Sequence, residues 1–112
     1  MKQYVICSLH VKGFHRWPTA PDGPMSYLRY RHRHVFDIQA AFAVADSDRE
    51  IEIIERQNEM EQYLLSRYGA ENHSCEFGSM SCEQIAEDIL REFGAVWCVV
   101  REDGFGGAAV VR

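Results

Sequence analysis

Tyr30-Arg31-His32-Arg33-His34-Val35-Phe36-Asp37-Ile38-Gln39-Ala40-Ala41-Phe42-Ala43-Val44 is the stretch on which the fold turns. From Phe36 onward it is rich in apolar, strand-compatible residues and reads as a β-strand. Alternate residues of a strand share a face and each residue advances about 3.3 Å. His32 and His34 therefore stand side by side on the face of Phe36, Ile38, Ala40 and Phe42, roughly 6.5 Å apart at the backbone. Two imidazoles at that spacing can converge on one metal ion, since metal–nitrogen bonds are about 2.0–2.1 Å. A plainer reading stands beside it: two histidines among arginines at the polar end of a strand.

Upstream, Tyr4 to Val11 makes a first strand that runs on through Gly13-Phe14-His15-Arg16-Trp17. Pro18-Thr19-Ala20-Pro21-Asp22-Gly23-Pro24 then breaks the pattern and leads to the second strand, which makes the two strands antiparallel neighbours. That pairing offers a third histidine. His15 shares the apolar row of Val5, Cys7, Leu9 and Val11, whereas His10 belongs to the wetter row of Ser8 and Lys12. His15 is thus the expected third ligand and His10 a surface residue.

Downstream, Asp46-Ser47-Asp48 marks a turn, and Glu50-Ile51-Glu52-Ile53 fits either a short strand or the first turn of a helix. Met60, Tyr63, Leu64 and Tyr68 form the apolar stripe of a helix that ends at Gly69. Ala70 to Met80 reads as a polar loop holding Asn72, His73 and Cys75. A second helix opens at Ser81, with Gln84 in the capping-box position, buries Ile85, Ala86, Ile89, Leu90 and Phe93, and stops at Gly94. Ala95 to Arg101 and Ala108 to Arg112 are the last two strands, joined by the turn Asp103-Gly104-Phe105-Gly106-Gly107. The expected order is strand, strand, helix, helix, strand, strand in one α+β domain spanning residues 1–112.

With 46% hydrophobic and 26% charged residues, the 112-residue chain has the composition of a globular domain. A formal charge of −5 argues against a dedicated nucleic-acid binder. Arg29, Arg31 and Arg33 are a local exception, a basic island suited to an anionic small molecule. No apolar run is long enough for a membrane span. Cys7, Cys75, Cys82 and Cys98 lack C-x-x-C spacing, and the expected setting is reducing and cytoplasmic.

Four motifs in this order resemble the tunnelling-fold (T-fold) family of 6-pyruvoyltetrahydropterin synthase and the bacterial 6-carboxytetrahydropterin synthase QueD. They are His15-Arg16-Trp17, the H-x-H-x-aromatic run His32-Arg33-His34-Val35-Phe36, the helix start Ser81-Cys82-Glu83-Gln84-Ile85-Ala86, and the strand end Val100-Arg101-Glu102. The resemblance spans nearly the whole chain. It implies an antiparallel four-stranded sheet with two helices on one face, assembled into a hexamer of stacked trimers or another ring. It implies a zinc ion on His15, His32 and His34 with its fourth position open to water or substrate. Glu102 would hold a pterin or guanine-like ring edge, and the arginine island the phosphates of dihydroneopterin triphosphate or a purine nucleotide.

The chain also departs from the family pattern. The position of the family's proton-transferring cysteine falls at about Leu28, and the aspartate–histidine pair that supports it becomes Asn72-His73. His73 with Cys75 is the substitute catalytic pair the sequence offers. Three functions remain open at this point: a zinc-dependent lyase, a non-catalytic binder or sponge of a purine- or pterin-derived nucleotide, and a structural homo-oligomer without a ligand.

Overall fold

Strand alternation over Gln3–His15 (β1) buries Cys7, Leu9, Val11 and His15 on one face and leaves Tyr4, Ile6, His10 and Lys12 on the other. His32–Val44 (β2) repeats the division, burying Phe36, Ile38, Ala40 and Phe42 on the same side. A computed structural model describes all of residues 1–112 and pairs the two strands antiparallel from Gln3↔Val44 to His15↔His32. The long loop between them is tied down by a 3-10 turn at Ser26–Arg29 and by the Trp17 N–H donating to the Leu28 carbonyl at 2.7 Å.

Ile53–Tyr68 (α1) begins earlier than its apolar stripe suggests, because the Glu52 side chain caps it by accepting from the Glu55 N–H at 2.7 Å. The Glu50–Ile53 ambiguity thus resolves toward the helix. Cys82–Phe93 (α2) carries a complete capping box between Ser81 and Gln84, and Gly94 closes it at φ +68°. Trp97–Glu102 (β5) pairs antiparallel with β2, and Gly107–Val111 (β6) pairs with β5. Met60 and Leu64 of α1 and Ile85, Ala86, Ile89 and Leu90 of α2 pack on Cys7, Leu9, Phe36, Ile38, Cys98 and Val100 in one cluster, so both helices cover the same sheet face.

The segment read as a polar loop corrects the expected architecture. Gly69–Ala70 (β3) and Ser74–Gly78 (β4) are strands, and β4 joins the sheet parallel to β1 through Gly13↔Cys75 and Phe14↔Glu76. The sheet therefore has six strands in the order β3-β4-β1-β2-β5-β6 with one parallel pair. The antiparallel four-stranded sheet of the T-fold expectation does not hold. The cause lies in two residues: Cys75 and Phe77 alternate into the core between the outward Glu76 and the turn at Gly78. Phe77 stacks edge-on against Phe36, its ring centroid 5.2 Å away, and both rings lie over Gly13.

No helix is long and apolar enough to cross a membrane.

Candidate metal centre

The register of β1 on β2 does what the sequence pattern requires. His15 lies directly across from His32, and Gly13 across from His34, so three imidazoles meet at one end of the buried face. Their ring centroids are 4.6 Å (His15–His32), 5.0 Å (His32–His34) and 5.3 Å (His15–His34) apart. Phe36, next along the row, meets the rings of His15 and His34 edge-on at 5.2 and 5.6 Å and forms the floor of the group. His15 is buried, while His32 and His34 are half-buried, so the group opens to one side.

Each imidazole has its Nδ1 engaged. His15 Nδ1 lies 3.0 Å from the Met80 carbonyl oxygen, His32 Nδ1 2.9 Å from the Tyr30 carbonyl oxygen, and His34 Nδ1 2.7 Å from Asp103 Oδ2. A carbonyl or carboxylate can only accept, so each of these contacts selects the tautomer with hydrogen on Nδ1. The Nε2 lone pairs are left free for a metal, which is the usual outer arrangement of histidine ligands.

A fourth group joins them. β5 places Glu102 across from Phe36, and its Oε2 lies 2.8 Å from His15 Nε2 and 3.4 Å from His34 Nε2. One ligand atom from each of His15, His32, His34 and Glu102 lies within 4.8 Å of every other. The four could hold a metal ion: the set is nitrogen and oxygen, and a tetrahedral ion with bonds of about 2.0–2.2 Å asks only for small side-chain movements. The sequence pointed to Glu102 as a ring anchor, and nothing in its local pattern showed that its carboxylate turns toward the histidines. The signal lies in the sheet register, which places residue 102 beside Phe36.

The group forms part of the wall of a cavity of about 530 Å³, within the size range of small-molecule sites. His15, His32 and Glu102 line one side, Arg16, Trp17 and Leu28 another, and Ser81 and Cys82 at the start of α2 a third. Burial first, then the Glu102 carboxylate, push the Cys82 thiol up to about 12, so it stays protonated at neutral pH.

The basic island is dispersed. Arg29 donates to the Ala20 carbonyl at 2.7 Å and pairs with Asp22, and Arg31 pairs with Glu76 at 2.8 Å while stacking 3.6 Å above the Phe14 ring. Arg33 is exposed and points away from the face of His32 and His34. Arg16 is the arginine that lines the cavity, and no carboxylate pairs with it. Its place directly after His15 was the available clue.

His73 and Cys75 are not brought together. Cys75 is fully buried, its thiol donating to the Leu64 carbonyl, and burial pushes it up to about 11. His73 lies on an exposed turn with φ +57°, its Nε2 3.0 Å from Glu61 Oε1, beside a separate cleft shared with His10 and Lys12. Neither belongs to the four-residue group.

Sheet and site together define an α+β protein with a three-histidine, one-carboxylate centre of metal-binding composition beside a small-molecule cavity. No protein-family model matches the chain, and no curated protein matches it.

Proposed function

We propose that the chain binds zinc through His15, His32 and His34 and holds a phosphorylated pterin or purine in the adjoining cavity, in the manner of a 6-pyruvoyltetrahydropterin synthase or QueD-like protein that turns its ligand over slowly or not at all. The observation that carries this reading is the convergence of three imidazoles, each with Nδ1 engaged, at the wall of a cavity of about 530 Å³. Histidine nitrogens with a carboxylate oxygen suit zinc among the common divalent ions. A bound zinc would supply Lewis acidity to a ligand oxygen.

The chain's own residues supply the rest. Arg16, unpaired and on the cavity wall, is placed for an anionic group, and Trp17 beside it offers an aromatic face. Leu28, at the position of the family cysteine, lines the same cavity and cannot take a proton. Loss of a general base typically lowers a rate about 10²–10⁴-fold, which favours holding the ligand over converting it. A working zinc-dependent lyase on dihydroneopterin triphosphate is the second reading.

A ring-shaped homo-oligomer, hexameric or smaller, belongs to the same proposal. β1 meets β4 only at Gly13–His15, so most of its outer edge, from Gln3 to Lys12, has no strand beside it, and β6 is bare on its outer side. Exposed Tyr4, Ile6 and Val111 stand on these edge strands. Unpaired edges recruit other chains unless blocked.

Isothermal calorimetry of the zinc-loaded protein with dihydroneopterin triphosphate and with guanine nucleotides, followed by chromatography of each mixture, tests the proposal. Binding of at least one of them without rapid product is expected, and Glu102→Gln should weaken it. Rapid product formation would move the reading to the lyase. No binding to any of them would sink both, and a monomer in sedimentation of the same sample would remove the ring.

A further inference from the structure

His34 differs from its two neighbours in how its far nitrogen is held. His15 and His32 lean on backbone carbonyls, but His34 leans on a carboxylate that the chain goes to some length to place. Asp103 has φ +55°, a left-handed conformation uncommon outside glycine, though aspartate tolerates it better than most residues. Its backbone N–H donates to the Val35 carbonyl at 2.8 Å, and its Oδ1 accepts from the Val35 N–H at 2.8 Å. With both contacts made, Oδ2 is left 2.7 Å from His34 Nδ1. A residue held off the common backbone regions by several contacts at once is a frequent mark of a functional position.

We infer that Asp103 is a positioning residue for the metal centre: its carboxylate fixes His34 in the Nδ1–H tautomer, keeps Nε2 available as a ligand, and orients the ring toward His15 and His32. This role rests on the metal reading of the four-residue group. A carboxylate behind a histidine ligand raises the basicity of the metal-bound nitrogen more than a carbonyl does, which makes His34 the strongest of the three donors. It also leaves the two consecutive acidic residues with different work. Glu102 faces the metal position and Asp103 faces the back of a ligand, their divergence set by the change from extended β5 backbone at Glu102 to the left-handed residue that follows.

Two substitutions separate positioning from simple support. Asp103→Asn keeps the size and suits the left-handed backbone, but it has one acceptor oxygen where two were used. The Val35 N–H cannot change its role, so the amide oxygen goes there and the NH2 group faces His34 Nδ1. A donor facing that nitrogen favours the Nε2–H tautomer, which has no lone pair on Nε2 for the metal. Asp103→Gly removes the carboxylate, relaxes the backbone, and lets water accept from Nδ1 in place of Asp103.

Zinc affinity is read by competition with a chromogenic chelator, and the His34 tautomer by long-range proton–nitrogen NMR on the metal-free protein at pH 8. The expected order is parent tightest, Asp103→Gly weaker, and Asp103→Asn weakest at about 10–100-fold below the parent, with His34 changing from Nδ1–H in the parent to Nε2–H in the Asn variant. A purely structural role predicts the reverse, because Asn preserves more of the native contacts than Gly. Parent and Asn variant binding zinc equally well would overturn the role alone, as would an Nε2–H tautomer in the parent. A parent that binds no zinc would overturn the metal reading and this role together.

Discussion

Replacing His32 with alanine is expected to abolish tight zinc binding and leave the fold in place. His32 is half-buried at the first position of β2, and its side chain makes one hydrogen-bonding contact, to the Tyr30 carbonyl. Its pairing with His15 runs through the backbone and survives the change. Zinc sites of this kind bind with roughly 10–16 kcal/mol in all. Spread over three or four ligands, that is roughly 3–4 kcal/mol each, a loss of more than about a hundredfold in affinity when one is removed. Metal analysis after gel filtration should find zinc in the parent and almost none in the variant, with matching circular dichroism and unfolding midpoints. Zinc retained by the variant would remove His32 from the site.

Gly13→Ala is expected to damage both the fold and the centre. A Cβ on Gly13 would stand 2.7 Å from Phe77 Cε2 and 2.8 Å from Phe36 Cδ2 and Cε2, closer than carbon atoms tolerate. Both rings are buried and locked against each other and cannot swing away without opening the core. Overpacking of this kind costs about 1–3 kcal/mol. Phe36 is also the floor beneath His15 and His34, and Gly13 is the cross-strand neighbour of His34, so any ring shift moves two of the ligands. Urea unfolding should show the lowered stability, and zinc titration a weaker site than in the parent. An alanine variant as stable as the parent would contradict the packing described between β4 and the end of β1.

How much of this was legible in the sequence depends on which force decides each element. The strands β1, β2, β5 and β6 and the helix α2 announce themselves because their periods, caps and turns are local. The alternation that put His32 and His34 on one face, and His15 on the apolar row, is likewise local, and it carried through to the register His15↔His32. The strand Ser74–Gly78 was not legible. Its residues are small or polar apart from Phe77, and it is a strand because Cys75 and Phe77 find the gap over Gly13, a contact between segments some sixty residues apart. The same limit explains the missed roles of Glu102 and Asp103. Which way two adjacent carboxylates turn is set by the β2–β5 register and by one left-handed residue, neither of which has a local sequence mark. The arginine island misled for a related reason. Spacing in sequence showed like charges together, while the carboxylates that neutralise two of them, Asp22 and Glu76, come from the loop and from the unrecognised strand.

Zinc K-edge absorption spectroscopy on the wild-type protein, loaded with one equivalent of zinc and desalted, tests the central claim most directly. A shell of nitrogen and oxygen neighbours at about 2.0–2.1 Å, with the multiple-scattering pattern of several imidazoles and no sulfur, is the predicted result. A sulfur shell at about 2.3 Å would place the metal on the cysteines and contradict the account, as would a desalted protein that retains no zinc.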